Sequence, residues 1–348
     1  MNEQETIIEI RNLLEKAQNP LFIIDDDPDG VCAYLVLKKY INKGNFLLVK
    51  SAPVISEEFL SYAAKHNPDL IIILDIANVS EEFLHGNNVP IVWIDHHEPR
   101  KTNATYYNPR NYDDSVYVPT SECAYNIVQN YQWLAGIGIM EDWKIPPFMD
   151  NLLKDYPDLV HPTDSPGYLR FETPYGKIGM MVRAALKGSV NDSNDIIKLL
   201  EQVESPYDFE KYPEKYKPIL KKYYTMKEEL DCLLTYAEEG GEHNEHFIIF
   251  TYHHTGQYAL TGLIAEILNY RHPGKLVLVA REKDGVYRLA ARASKGDINS
   301  ALQSAFKGTS GRGGGHYLSC GGSIDEKEFD TFIAQFKQEW LTQIEQLK

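Results

Sequence analysis

Ile91-Val92-Trp93-Ile94-Asp95-His96-His97 is the stretch from which the fold can be worked out. Pro90 precedes it, and a short apolar run bounded by a turn former predicts a buried strand. An aspartate and two adjacent histidines at its end are ill suited to core packing. In open α/β sheets, ligands bind just beyond the carboxyl ends of strands, which makes this end a candidate site. Two further runs finish in acid the same way. Leu21-Phe22-Ile23-Ile24 leads into Asp25-Asp26-Asp27-Pro28-Asp29-Gly30, and Leu70-Ile71-Ile72-Ile73-Leu74 leads into Asp75. If the three strands are parallel neighbours, Asp25, Asp27, Asp29, Asp75, Asp95, His96 and His97 meet at one edge. So many carboxylates share a site only where cations neutralise them. The pattern asks for metal.

Helices alternate with these strands. Apolar stripes predict helices over residues 4–18 and 31–40, and another over 57–65 with Ser56 as its N-cap. A strand at 46–49 and a short helix near Glu81 complete the alternation, which predicts a parallel sheet with helices on both faces. One long helical stretch is expected from Thr120 to about Trp133. It leads into the small-residue segment 135–142, where a backbone can approach something closely. Residues 146–240 are rich in Pro and Tyr and lack buried-strand runs, predicting a helical connector with helices at 196–203 and 217–238. Tyr212, Tyr216, Tyr223 and Tyr224 are expected to pack helix against helix. Strands at 247–250, 275–280, 286–291 and near Ser323, with helices at 259–270 and 298–306, predict a smaller C-terminal α/β lobe with a mixed sheet. The expected division is 1–145, 146–240 and 241–348, with a cleft between the two α/β lobes.

Bulk composition narrows the classes. The 348 residues are 43% hydrophobic and 24% charged, as in soluble globular proteins. The N-terminus has no basic and apolar leader pattern, and no apolar run nears the ~20 residues that span a bilayer. Cys32, Cys123, Cys232 and Cys320 are scattered without metal spacing, which predicts reduced thiols in a cytoplasmic protein. A formal net charge of −15 argues against a broad duplex-DNA platform. It leaves room for short single-stranded nucleic acid, or a phosphorylated small molecule, in a local basic groove.

The acidic turn has rivals to weigh. Its D-x-D-x-D-G pattern also opens an EF-hand loop, but position 12 would be Val36, not Glu, and a strand precedes it. Asp27-Pro28-Asp29-Gly30 resembles the nucleophile loop of haloacid-dehalogenase-type phosphatases, with Asp27 as nucleophile and Asp29 as acid. That reading leaves His96-His97 and the triple glycine unexplained. A plain helix cap is the blandest option.

Taken together and in order, Asp25-x-Asp27-x-Asp29-Gly30, Asp75, Asp95-His96-His97, Asp142 and Gly313-Gly314-Gly315-His316 resemble the DHH phosphoesterase family. Asp in the first motif, where other branches place His, resembles the RecJ-like branch. Residues 291–316 resemble the DHH-associated C-terminal domain. The likeness covers roughly 21–142 and 258–324. It implies that Asp25, Asp27, Asp29, Asp75, His96 and Asp142 hold two Mn²⁺ or Mg²⁺ ions, with Asp75 bridging. Hard oxygen ligands with one imidazole suit such ions. A metal-bridging hydroxide would then be the nucleophile of a phosphodiesterase or exonuclease. Asp95 would orient a histidine, and His97 would contact the scissile phosphate. In the second lobe, Arg292, Arg312, Gly313, Gly314, Gly315 and His316 would bind substrate phosphate, the glycines as a loop of open backbone amides. Arg183 is a further candidate, and Tyr317 could stack on a base. The implied substrate is a short single-stranded oligonucleotide. A dinucleotide, phosphoadenosine or polyphosphate is the alternative, and a catalytically silent replication scaffold is the rival from another class. The further domains of RecJ nucleases that process long DNA are not expected in these 348 residues.

Overall fold

The computed structural model describes residues 2–50, 54–253 and 255–346. It divides into two compact units, residues 1–223 and 224–348.

The first unit is built on a five-stranded sheet of β1 (Pro20–Asp25), β2 (Asn45–Val49), β3 (Leu70–Leu74), β4 (Ile91–Ile94) and β5 (Thr105–Tyr107). Its order is β2-β1-β3-β4-β5, and every pair is parallel. Strand side chains alternate between faces. Leu21, Ile23, Ile71, Ile73, Ile91 and Trp93 form one core with Ala63 and Phe83, from the short helices Glu58–Ala64 and Glu81–Gly86. On the other face, Phe22 meets Tyr34 at 5.0 Å between ring centroids. Burial on both faces is why these strands read as unbroken apolar runs.

The preceding helix α1 (Glu3–Lys16) starts with a capping box between Asn2 and Glu5. In α2 (Pro28–Ile41) the Asp27 side chain accepts the Gly30 amide, and Pro28 fills the first turn. Three details depart from the sequence reading. The helix at Glu58–Ala64 has Glu57, not Ser56, in its cap position, with no side-chain cap bond. β5 was not expected. The stretch after Thr120 is two helices, α3 (Thr120–Val128) and α4 (Gln132–Glu141), because Gln129 and Tyr131 turn the chain through left-handed conformations at φ 55° and 60°.

The middle of the chain is helical, as expected, and includes α5 (Pro166–Phe171), α6 (Pro174–Ala185) and α7 (Lys217–Gly240). Of its tyrosines, Tyr216 and Tyr223 are buried, whereas Tyr212 and Tyr224 are exposed.

The second unit holds a six-stranded mixed sheet of β6 (Glu242–His243), β7 (Phe247–His253), β8 (Leu276–Lys283), β9 (Val286–Arg292), β10 (Arg312–His316) and β11 (Ser319–Asp325). The order is β10-β11-β9-β8-β7-β6, with β7 and β8 parallel and the other pairs antiparallel. Helices α8 (Thr261–Arg271), α9 (Ile298–Phe306) and α10 (Phe329–Gln346) follow β7, β9 and β11. Leu278, Leu289, Phe306, Phe332, Phe336 and Trp340 belong to its core.

The glycine run corrects the sequence reading: Gly313 to Gly315 lies in an edge strand, not a loop. A Cβ at Gly313 would stand 2.2 Å from the Gly321 carbonyl oxygen, and one at Gly315 2.3 Å from that of Ser319. The missing side chains let β10 and β11 pair this closely. All four cysteines are free, three of them buried. Among the described residues, no helix is long and apolar enough to cross a membrane.

Candidate metal centre

Parallel register gathers the acids. Ile24 pairs with Leu74, and Leu74 with Ile94. Asp25, Asp75 and Asp95 therefore each stand at or one step past the same row of the sheet. Asp75 makes a tight exit, at φ 62°, with its amide bonded to the Ile94 carbonyl at 3.0 Å. Asp27 and Asp29 follow at the start of α2, and Asp142 ends α4.

Three overlapping groups of side chains bring their ligand atoms within 4.8 Å of one another. They are Asp25, Asp27 and Asp75; Asp29, His96 and Asp142; and Asp75, His96 and His97. All six residues expected at the metal thus fall into this constellation, and His97 joins its edge. His96 Nε2 stands 3.4 Å from Asp75 Oδ1, and its Nδ1 3.6 Å from Asp142 Oδ2. His97 Nδ1 lies 2.7 Å from Asp95 Oδ1, the geometry of an N–H donated to a carboxylate.

The carboxylates are held from behind by residues the sequence reading passed over. Asp29 accepts the Thr120 amide at 2.6 Å, the Ser121 amide at 3.0 Å and the Ser121 hydroxyl. Thr120 Oγ1 donates to Asp75 at 2.8 Å, and the Tyr117 hydroxyl to Asp142 at 2.5 Å. The Tyr117 ring also meets His96 edge to face at 5.6 Å. Thr-Ser at a helix start signals a cap, and nothing local shows that it serves acids 45 to 92 residues away.

Electrostatics tests whether this set suits a cation. Burial, then the charge of Asp27, pushes the Asp25 carboxyl up to about 7. Burial and neighbouring aspartates hold Asp29 and Asp75 well above the usual carboxylate range. Burial raises Asp142 too, and lowers His96 towards the neutral imidazole that a metal requires. The largest influences on Asp25, Asp29 and Asp75 include no lysine or arginine. His96 Nδ1 and Asp95 Oδ2 are buried without a hydrogen-bond partner among the described residues. Acids packed together around an imidazole held towards its neutral form fit hard divalent ions.

The second unit places the other candidates apart from this cluster in sequence and on its own sheet. Arg312 and His316 lie on the edge strand β10, both exposed. Arg292 ends β9 with its guanidinium 3.1 Å from Glu266 and bonded to the Ala291 and Cys320 carbonyls. Arg183 is tied to Glu141 in the first unit. Tyr317 is exposed beside His316.

Two family models match the chain: the DHH family N-terminal domain over residues 21–153 and the DHHA1 domain over 245–342. The chain belongs to the DHH family. DHH members are metal-dependent phosphoesterases. No curated protein matches the sequence. Solved structures of the same fold include RecJ of Thermus thermophilus in complex with Mn²⁺, at 17% identity and a TM-score of 0.65. That likeness covers 97% of this chain and 55% of RecJ, so the chain spans little more than half of that relative's length. An exonuclease RecJ bound to manganese gives 16%, a TM-score of 0.62, and coverage of 97% and 94%. The pGpG-specific phosphodiesterase PggH of Vibrio cholerae gives 13%, a TM-score of 0.52, and coverage of 92% of this chain and 99% of that one.

Proposed function

We propose that this DHH protein is a Mn²⁺- or Mg²⁺-dependent phosphodiesterase that hydrolyses short single-stranded oligonucleotides, using two ions held by Asp25, Asp27, Asp29, Asp75, His96 and Asp142. The observation that carries it is the set of three overlapping ligand groups, in which burial and neighbouring aspartates raise the Asp29 and Asp75 carboxyls. When bound, such ions act as Lewis acids that activate water and stabilise charge on the phosphate oxygens.

The chain's own residues do the rest. Asp95, fully buried, holds His97 through Nδ1 and leaves Nε2 as the nitrogen that can reach a substrate phosphate. Thr120, Ser121 and Tyr117 keep Asp29, Asp75 and Asp142 from rotating, so the acids are pre-set for the ions. Arg312 and His316 supply exposed donors in the second unit, and we assign them, with Gly313, Gly314, Gly315 and Arg292, to phosphate binding. A reducing cytoplasm suits the four free thiols. Near-complete mutual coverage with a phosphodiesterase specific for pGpG supports a substrate of few nucleotides. A silent scaffold is disfavoured, because buried acids without cations cost stability.

The test is Mn²⁺-dependent product release from labelled oligomers, from dinucleotides up to about 20 nucleotides, past the ~4–16 that one binding groove tracks. Cyclic dinucleotides and polyphosphate complete the panel. Turnover that fades beyond a few nucleotides is expected. Activity confined to polyphosphate overturns the reading, and bound metal without any turnover turns it to the scaffold.

A further inference from the structure

Asp142 is flanked by two residues that are tied down from the same quarter. On one side, Glu141 Oε2 accepts Arg183 Nε at 2.8 Å and Nη2 at 2.7 Å, and stands 3.2 Å from Arg170 Nη2. The Glu141 and Arg170 side chains are 1% and 0% exposed. On the other side, Trp143 turns the chain at φ 60°, and its ring lies 5.1 Å from the Arg170 guanidinium. That guanidinium also sits 5.0 Å from the Phe171 ring. Helix α6 comes so near at Gly179 that a Cβ there would stand 2.6 Å from Glu141 Oε1. At Gly176 a Cβ would stand 2.1 Å from the Arg170 carbonyl oxygen, so α5 and α6 are locked to each other.

A buried ion pair is a poor source of net stability, since desolvation offsets the attraction. Such a knot is better explained by what it holds still. Between its two anchored residues, Asp142 presents its carboxylate 3.6 Å from His96 Nδ1. Both arginines lie outside the stretches matched by the family models.

We propose that the Arg170–Glu141–Arg183 knot is a positioning device that aims Asp142 at the ion shared with Asp29 and His96. It rests on the reading of Asp142 as a metal ligand. With Glu141 held by two guanidinium groups and Trp143 stacked on one of them, the backbone at residue 142 has little freedom to turn. The carboxylate then meets the ion without first losing that freedom, and binding is tighter by the ordering already done. The helices of the middle segment thereby contribute to the centre without touching an ion.

The test uses the full chain, titrated with Mn²⁺ alone and followed by the electron paramagnetic resonance of the free ion, beside thermal melts. Asp142→Asn is expected to weaken one ion. Arg183→Ala and Glu141→Gln are expected to fold and to weaken the same ion by about 10- to 100-fold. Arg183→Lys, which keeps the charge but not the two-pronged bond, should recover part of the loss. If Asp142→Asn binds Mn²⁺ like the parent, the ligand reading fails and the positioning role goes with it. If Asp142→Asn weakens binding while folded Arg183→Ala and Glu141→Gln do not, the positioning role alone fails. Should Arg183→Ala not fold, Glu141→Gln and Arg183→Lys decide by the same criterion.

Discussion

The two sheets of this molecule place their functional candidates in opposite ways. In the first, all strands run parallel, so residues far apart in sequence arrive at one edge, and Asp25, Asp75 and Asp95 stand side by side. In the second, most strands are antiparallel, and the candidate residues Arg312 to His316 lie along an edge rather than at a row of tips. A parallel sheet concentrates charge, and the first unit has several buried acids in contact. An antiparallel edge spreads its groups out, and the exposed Arg312 and His316 carry no comparable crowding. Crowded acids call for an ion, whereas exposed donors can take a phosphate without one.

Three experiments break or sharpen that contrast. The largest effect belongs to Asp75, which two of the three ligand groups share. Asp75→Asn should lower turnover by more than about 100-fold, beyond what loss of a ligand's hydrogen-bond partner causes. Removing that charge should also make the metal-free protein melt higher. Near-normal turnover removes Asp75 from the centre.

The second concerns pH. In the metal-free protein the Asp25 carboxyl sits at about 7 against an ordinary 3.8, and Asp29 and Asp75 are raised as well. Through that window the folded chain holds protons that the unfolded chain has already released. Stability is therefore highest at the acid end and falls as pH rises towards and through 7. Chelator-treated protein should melt lower at pH 8 than at pH 5, and Mn²⁺ should raise the melting temperature more at pH 8. A flat profile would mean that these acids are neutralised within the protein.

The smallest effects lie in the second sheet. Gly313→Ala forces a Cβ into the β11 backbone, and overpacking of that kind costs about 1–3 kcal/mol. Gly314→Ala meets the ends of Gln303, at 3.3 Å, and Asn299, at 3.7 Å, and should stay within about 0.5 kcal/mol. Chemical denaturation measures both. Equal costs would mean that close strand pairing is not what these glycines serve.

Legibility in the sequence followed the same divide. The runs ending at Asp25, Asp75 and Asp95 announced themselves because strands buried on both faces are continuously apolar. Once parallel pairing was assumed, the meeting of these acids followed. The break between α3 and α4 did not, because Gln129 and Tyr131 have no special liking for left-handed backbone. Nor did the supports of Asp29 and Asp142, since Ser121 and Tyr117 reach them through space. Glycine at 313–315 is equally at home in a turn or a tight strand pair, so composition alone could not choose. The Glu266 carboxylate beside Arg292 was equally hidden, since 26 residues separate the two.

Gly30 is usually the kind of residue credited with turning a chain, yet here what counts is the side chain it lacks. A Cβ at this position would lie 3.1 Å from the Asp75 Cβ, so the neighbour would have to give by a few tenths of an ångström. A single hydrogen in place of a methyl group thus gives Asp75, which two of the three ligand groups share, the clearance to keep its place.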